Sequence, residues 1–102
     1  MIELKKEFRK KGTNFRQLFK DDDLVIYELS RNGEDGNGYN WYEVFRRYVK
    51  AADIYHADQF EKYPYDECFG VWAWSCSNEK TVNKVLKEHF PNHPMAKDGF
   101  KC

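Results

Sequence analysis

The chain has no apolar run near the ~18–20 residues needed to cross a bilayer. It also has no glycine-rich phosphate loop, no Walker sequence and no nucleophile elbow. Those absences remove a helical membrane span and the common nucleotide-binding and hydrolase signatures. Neither charge is in excess, because 17 Lys and Arg offset 17 Asp and Glu. The whole-molecule field of a nonspecific nucleic-acid binder or a DNA mimic is therefore missing. Cysteine is scarce and odd in number: Cys68, Cys76 and Cys102. The opening residues Met1-Ile2-Glu3-Leu4-Lys5-Lys6 carry charge where a secretory signal needs its apolar stretch, so a cytoplasmic location with free thiols is expected. No repeat or long linker interrupts the 102 residues, and one domain over 1–102 is expected.

Aromatic residues are abundant instead: eight Phe, seven Tyr and three Trp, twelve of them between Tyr39 and Trp74. Charge is balanced but segregated. Residues 1–20 hold seven Lys and Arg against two Glu, and residues 21–36 hold six acids against Arg31 alone. The bland reading is two solvated surfaces that attract each other weakly. The sharper one is a basic arm for phosphate or an acidic partner.

Runs rich in β-branched and aromatic types over 24–29 and 41–49 flank the Gly/Asn-rich stretch 32–38 and predict an antiparallel hairpin. Residues 15–20 lead into Asp21-Asp22-Asp23, whose side chains favour a tight turn, and give a further strand. Residues 50–70 read mostly as loop. In 71–76, alternation puts Trp72, Trp74 and Cys76 on one face and the smaller Val71, Ala73 and Ser75 on the other, the face expected to lie under a helix. That helix is predicted over 78–90. Ser77 is its expected cap, Val82, Val85, Leu86 and Phe90 form its buried stripe, and Lys80, Lys84 and Lys87 form its outer side. A short helix over 3–11 and a loosely ordered tail over 92–102 complete the reading. The fold class is α+β: a small antiparallel sheet of about four strands with a C-terminal helix packed on one face.

Cys76, His89 and His93 match the second half of a Cys2His2 zinc finger, but seven residues separate Cys68 from Cys76 where a finger has two to four. No metal and no cofactor is expected. No motif surrounds the thiols or His56, and Cys76 is read as a buried hydrophobe, so the chain is not expected to be an enzyme. One helix covers one face of the sheet. The other face is either sealed by Tyr55, Phe60, Tyr63 and Phe69 of the long loop or left as a partner surface. On the second reading the candidate partner-binding residues are Trp72, Trp74, Arg46, Arg47, Tyr63 and Tyr65, types that dominate binding hot spots.

The succession Glu7-Phe8-Arg9-Lys10-Lys11-Gly12, Val25-Ile26-Tyr27-Glu28, Tyr42-Glu43-Val44, Glu61-Lys62-Tyr63-Pro64 and Phe69-Gly70-Val71-Trp72-Ala73-Trp74 resembles small uncharacterised proteins of bacteriophages and prophages of gut bacteria. The resemblance covers most of the chain and carries no catalytic residue. It implies a phage or mobile-element protein that binds and inhibits a host protein, as anti-CRISPR proteins inhibit nucleic-acid-targeting defence effectors. The alternative is a nucleic-acid-binding accessory protein using the basic N-terminal segment and the aromatic surface.

Overall fold

A computed structural model describes residues 1–32 and 38–100. The predicted stretch 32–38 therefore lies mostly outside the described residues, as does Cys102. The main sheet has five strands in the order β1 (Glu7–Lys10), β2 (Thr13–Lys20), β3 (Leu24–Asn32), β4 (Gly38–Arg46) and β7 (Ala73–Cys76), all antiparallel. The predicted hairpin is β3–β4, paired from Leu24↔Arg46 to Asn32↔Gly38. Between β4 and β7, β5 (Val49–Lys50) and β6 (Phe60–Glu61) form a separate two-stranded ribbon. The chain ends in α1 (Glu79–His89) and α2 (Pro94–Asp98). The architecture is α+β, with one more strand in the main sheet than expected and an additional ribbon. Among the described residues no helix is long and apolar enough to cross a membrane.

The extra strand replaces the short helix expected over 3–11. Lys11 and Gly12 both have positive φ, 51° and 80°, and join Lys10 to its partner Thr13. Two such residues in a two-residue loop make a type I′ turn, whose twist matches that of the strands it links. At the other end of β2, Asp21 Oδ1 accepts the N–H groups of Asp23 and Leu24 at 2.9 and 2.8 Å, which is the turn predicted from the acidic triplet. Pairing slips between Gln17 and Phe19. The resulting bulge lets the successive apolar residues Leu18 and Phe19 face the same way, against the helical layer.

Two clusters sandwich the sheet. On one face Leu24, Ile26, Tyr42, Val44 and Cys76 pack against Val82, Val85, Leu86 and Phe90. The helix is as predicted, except that its cap is Asn78, which accepts from Thr81 N, and not Ser77. The segment read as a loosely ordered tail holds α2 and carries Phe100 into this core, where Asn83 Oδ1 accepts Phe100 N at 2.7 Å. The opposite cluster joins Val25, Tyr27, Leu29, Phe45, Cys68 and Ala73.

β7 orients its tryptophans differently from the alternation predicted. Cys68 O accepts Val71 N and Trp72 N, and Gly70 N donates to Ala73 O, so residues 68–72 form a tight turn around Gly70 at φ 89°. Only from Ala73 does the chain alternate as a strand. Trp74 and Cys76 therefore face α1, whereas Trp72 packs beside Ala73 on the other face. The helix lies on the side opposite to the one expected.

Candidate partner-binding surface

The six predicted binding residues are dispersed to separate places. Trp74 is half-buried, stacked on His89 at 4.0 Å between ring centroids and edge-on to Phe90 at 5.8 Å. Arg46 is nearby, its guanidinium over Phe90 at 4.7 Å and donating to His89 O at 2.7 Å. Trp72 lies on the opposite face, stacked on Tyr48 at 5.5 Å. Tyr63 packs among Phe8, Phe15, Tyr27 and Phe45 and gives its hydroxyl hydrogen to Glu43. Tyr65 is exposed beneath Lys62 Nζ at 4.0 Å. Arg47 is spent on Glu61. The arrangement joins Trp74 with Arg46 at one place and Tyr63 with Tyr65 along one groove, and leaves Trp72 and Arg47 apart from both pairs. Of the loop residues expected to seal the second face, Tyr63 and Phe69 do so, while Phe60 stacks on His56 and Tyr55 projects outward.

Glu61 and His93 are engaged in the structure, and the Cys76 thiol is buried in its core. The Glu61 carboxylate, 1% exposed, accepts Lys20 Nζ at 2.7 Å, Arg47 Nε and the Leu4 backbone N–H at 2.9 Å. Burial pushes its pKa up, but these three donors outweigh that and hold it below the ordinary glutamate value. His93 Nδ1 accepts Met95 N, so in the neutral ring Nε2 carries the hydrogen and donates to Asp21 Oδ2 at 2.6 Å. Both nitrogens are engaged. Burial, with a lesser push from Glu43, raises the Cys76 thiol to about 11, the reverse of what a nucleophile needs. Cys68 and Cys76 belong to opposite faces of the sheet, and among the described residues no three His, Cys, Asp or Glu side chains are grouped to hold a metal ion.

The sequence reading missed the ribbon. Nine large apolar side chains are exposed among the described residues. Six of them belong to the ribbon, its connecting loop and the N-terminus that joins it: Met1, Ile2, Tyr48, Val49, Ile54 and Tyr55. Ile54 and Tyr55 are 90% and 83% exposed. They are nevertheless held. Asp53 Oδ1 accepts the N–H groups of Tyr55 and His56, both at 2.8 Å, and His56 stacks on Phe60 at 3.9 Å. The ribbon is fixed to the body by Glu61, by a parallel bridge from Ile2 to Phe60, and by the N-terminal ammonium on Asp58 at 2.8 Å. An apolar tip on an ordered turn is poor design for solvent and good design for a partner's pocket, because little ordering entropy remains to be lost on binding. A signal was present in Ala51-Ala52-Asp53-Ile54-Tyr55, where an Asx-turn residue precedes two large apolar ones. No family model matches this chain, and no curated protein or solved structure is significantly similar to it.

Proposed function

We propose that this chain is a non-enzymatic interaction protein of phage or mobile-element origin that works in the cytoplasm of a bacterial host. It binds and inhibits a host protein, a nucleic-acid-targeting defence effector being the class that the resemblance implies. The observation that carries the binding role is the ordered, exposed pair Ile54 and Tyr55 on a ribbon that, together with the N-terminus joined to it, holds six of the nine large apolar side chains exposed among the described residues. The structural use of Glu61, His93 and Cys76 supports binding over catalysis. The test compares affinity capture from host lysate by the wild type and by Ile54→Asp. A host protein retained by the wild type and lost by the variant, with the melting temperature unchanged, is the expected result. Equal capture by both proteins overturns the docking surface.

A second reading has one observation in its favour. Lys80, Lys84 and Lys87 of α1 and Lys97 of α2 line a groove of about 880 Å3, and none has an ion-pair partner among the described residues. On this reading the exposed Lys5, Lys6, Lys10 and Lys11 of the N-terminal segment supply one basic surface, and the helical lysines, with Glu88 and Asp98 beside them, supply a second. Salt separates the two readings, since phosphate contacts weaken steeply with added ions and an apolar interface does not.

A further inference from the structure

On the face of the sheet away from α1, beside the segment 63–69, a groove of about 780 Å3 runs across the strands. Its walls include Phe8, Phe15, Trp41, Tyr63 and Phe69, each half-buried, so that ring surface remains open to an occupant. Glu43 sits in the same groove, between Trp41 and Phe45 on β4, and its carboxylate accepts the Tyr63 hydroxyl. Among the described residues no cation pairs with it. Asp66 and Glu67 line the same groove, and Lys10, Lys11 and Arg31 line it too.

We propose that this groove binds the basic side chain of an extended peptide segment, the guanidinium or ammonium lying against Trp41 and Tyr63 with its charge on Glu43 and Asp66. The inference is independent of the ribbon. It rests on two complementarities. Open aromatic faces attract cations, most strongly where water is partly excluded, and a half-buried carboxylate that has a hydroxyl donor but no cation gains most from an incoming one. Burial already pushes the Glu43 carboxyl above its ordinary value, and the nearby Asp66 charge adds to this, so a bound cation relieves a standing cost. Lys10 and Lys11 also set selectivity: they repel a second base, so the preferred segment carries one basic residue with neutral or acidic neighbours.

The probe is the blocked peptide Ala-Arg-Ala-Asp, compared with Ala-Gln-Ala-Asp, followed through the Trp41 indole N–H by two-dimensional NMR. The arginine peptide is expected to shift that signal saturably and to bind at least about tenfold more tightly than the glutamine peptide. Glu43→Gln keeps an acceptor for Tyr63 and should bind the arginine peptide about tenfold more weakly, and Asp66→Asn about threefold, neither melting below the wild type. Ile54→Asp should bind it as the wild type does, which separates this site from the ribbon. Equal binding of the two peptides, wild-type affinity in Glu43→Gln, or shifts confined to other residues would each overturn the proposal.

Discussion

The indole of Trp74 lies nearly parallel to the imidazole of His89, the two planes 17° apart, and Phe90 meets the indole edge-on. Trp74 thus closes the rim of the helical core, where a stacked pair and an edge contact each contribute about 0.5–1.5 kcal/mol beyond burial. Trp74→Ala should destabilise the domain by about 2–4 kcal/mol, less than the largest core truncations because the ring is half-exposed. His89→Ala should remove the stack alone and cost about 1 kcal/mol. Urea unfolding of the two variants checks this, and equal losses would show that the stack, and not the burial, dominates.

Leu86 faces the sheet and is fully buried, whereas Lys84 on the same helix is exposed. Leu86→Ala should cost about 2–5 kcal/mol through lost transfer energy and a residual cavity. Lys84→Ala should change stability by no more than about 0.5 kcal/mol. The difference between the two denaturation midpoints measures how firmly α1 is fixed on that face.

The β1–β2 turn offers an improvement. Lys11 holds φ 51°, a region that side chains other than Asn, Asp and Gly occupy at a cost, while Gly12 is suited to its φ of 80°. Lys11→Asn creates the preferred Asn-Gly pair and should add about 0.5–1 kcal/mol. Gly12→Ala should cost about 1–2 kcal/mol from backbone strain alone. The nearest atom to the added methyl would be Arg31 Nη2 at 3.9 Å, so no clash contributes. Thermal melts of the two variants should move in opposite directions.

The legible parts of the fold were those set by neighbours in sequence. The aspartate turn, the β3–β4 hairpin and the α1 stripe through Val82, Val85 and Leu86 follow from local bonding and periodicity. The positive φ of Lys11 carries no mark in its side chain, so the basic segment before Gly12 read as helix. The tryptophans were misplaced because alternation presupposes a strand, and the Cys68 carbonyl, by accepting Val71 N and Trp72 N, delays that strand until Ala73. The ribbon depends on pairing across the chain, from Ile2 to Phe60 and from Glu61 to Lys20, which local pattern does not reveal. Asp53 before Ile54 and Tyr55 marked a turn with apolar residues on it, but without that long-range pairing the segment read only as loop, and the groove at Glu43 only as undivided aromatic surface.

Glu61 and Glu43 should give the protein opposite responses to pH. Glu61 is held below its unfolded value, so its ion pairs stabilise the fold above about pH 4.3 and are lost as pH falls through the depressed folded value. Glu43 is raised, so the folded state retains its proton longer than the unfolded one, and stability falls as pH climbs from about 4.3 through the raised value. Glu61→Gln should therefore cost about 3 kcal/mol at neutral pH, by leaving Lys20 and Arg47 without their shared carboxylate, and progressively less in acid. Glu43→Gln should match or exceed wild-type stability at neutral pH and lose that advantage in acid. Urea midpoints of the three proteins between about pH 3 and pH 8 test both signs at once. A Glu61→Gln deficit that persists unchanged into acid would show that its stabilisation comes from neutral hydrogen bonds and not from the two cations.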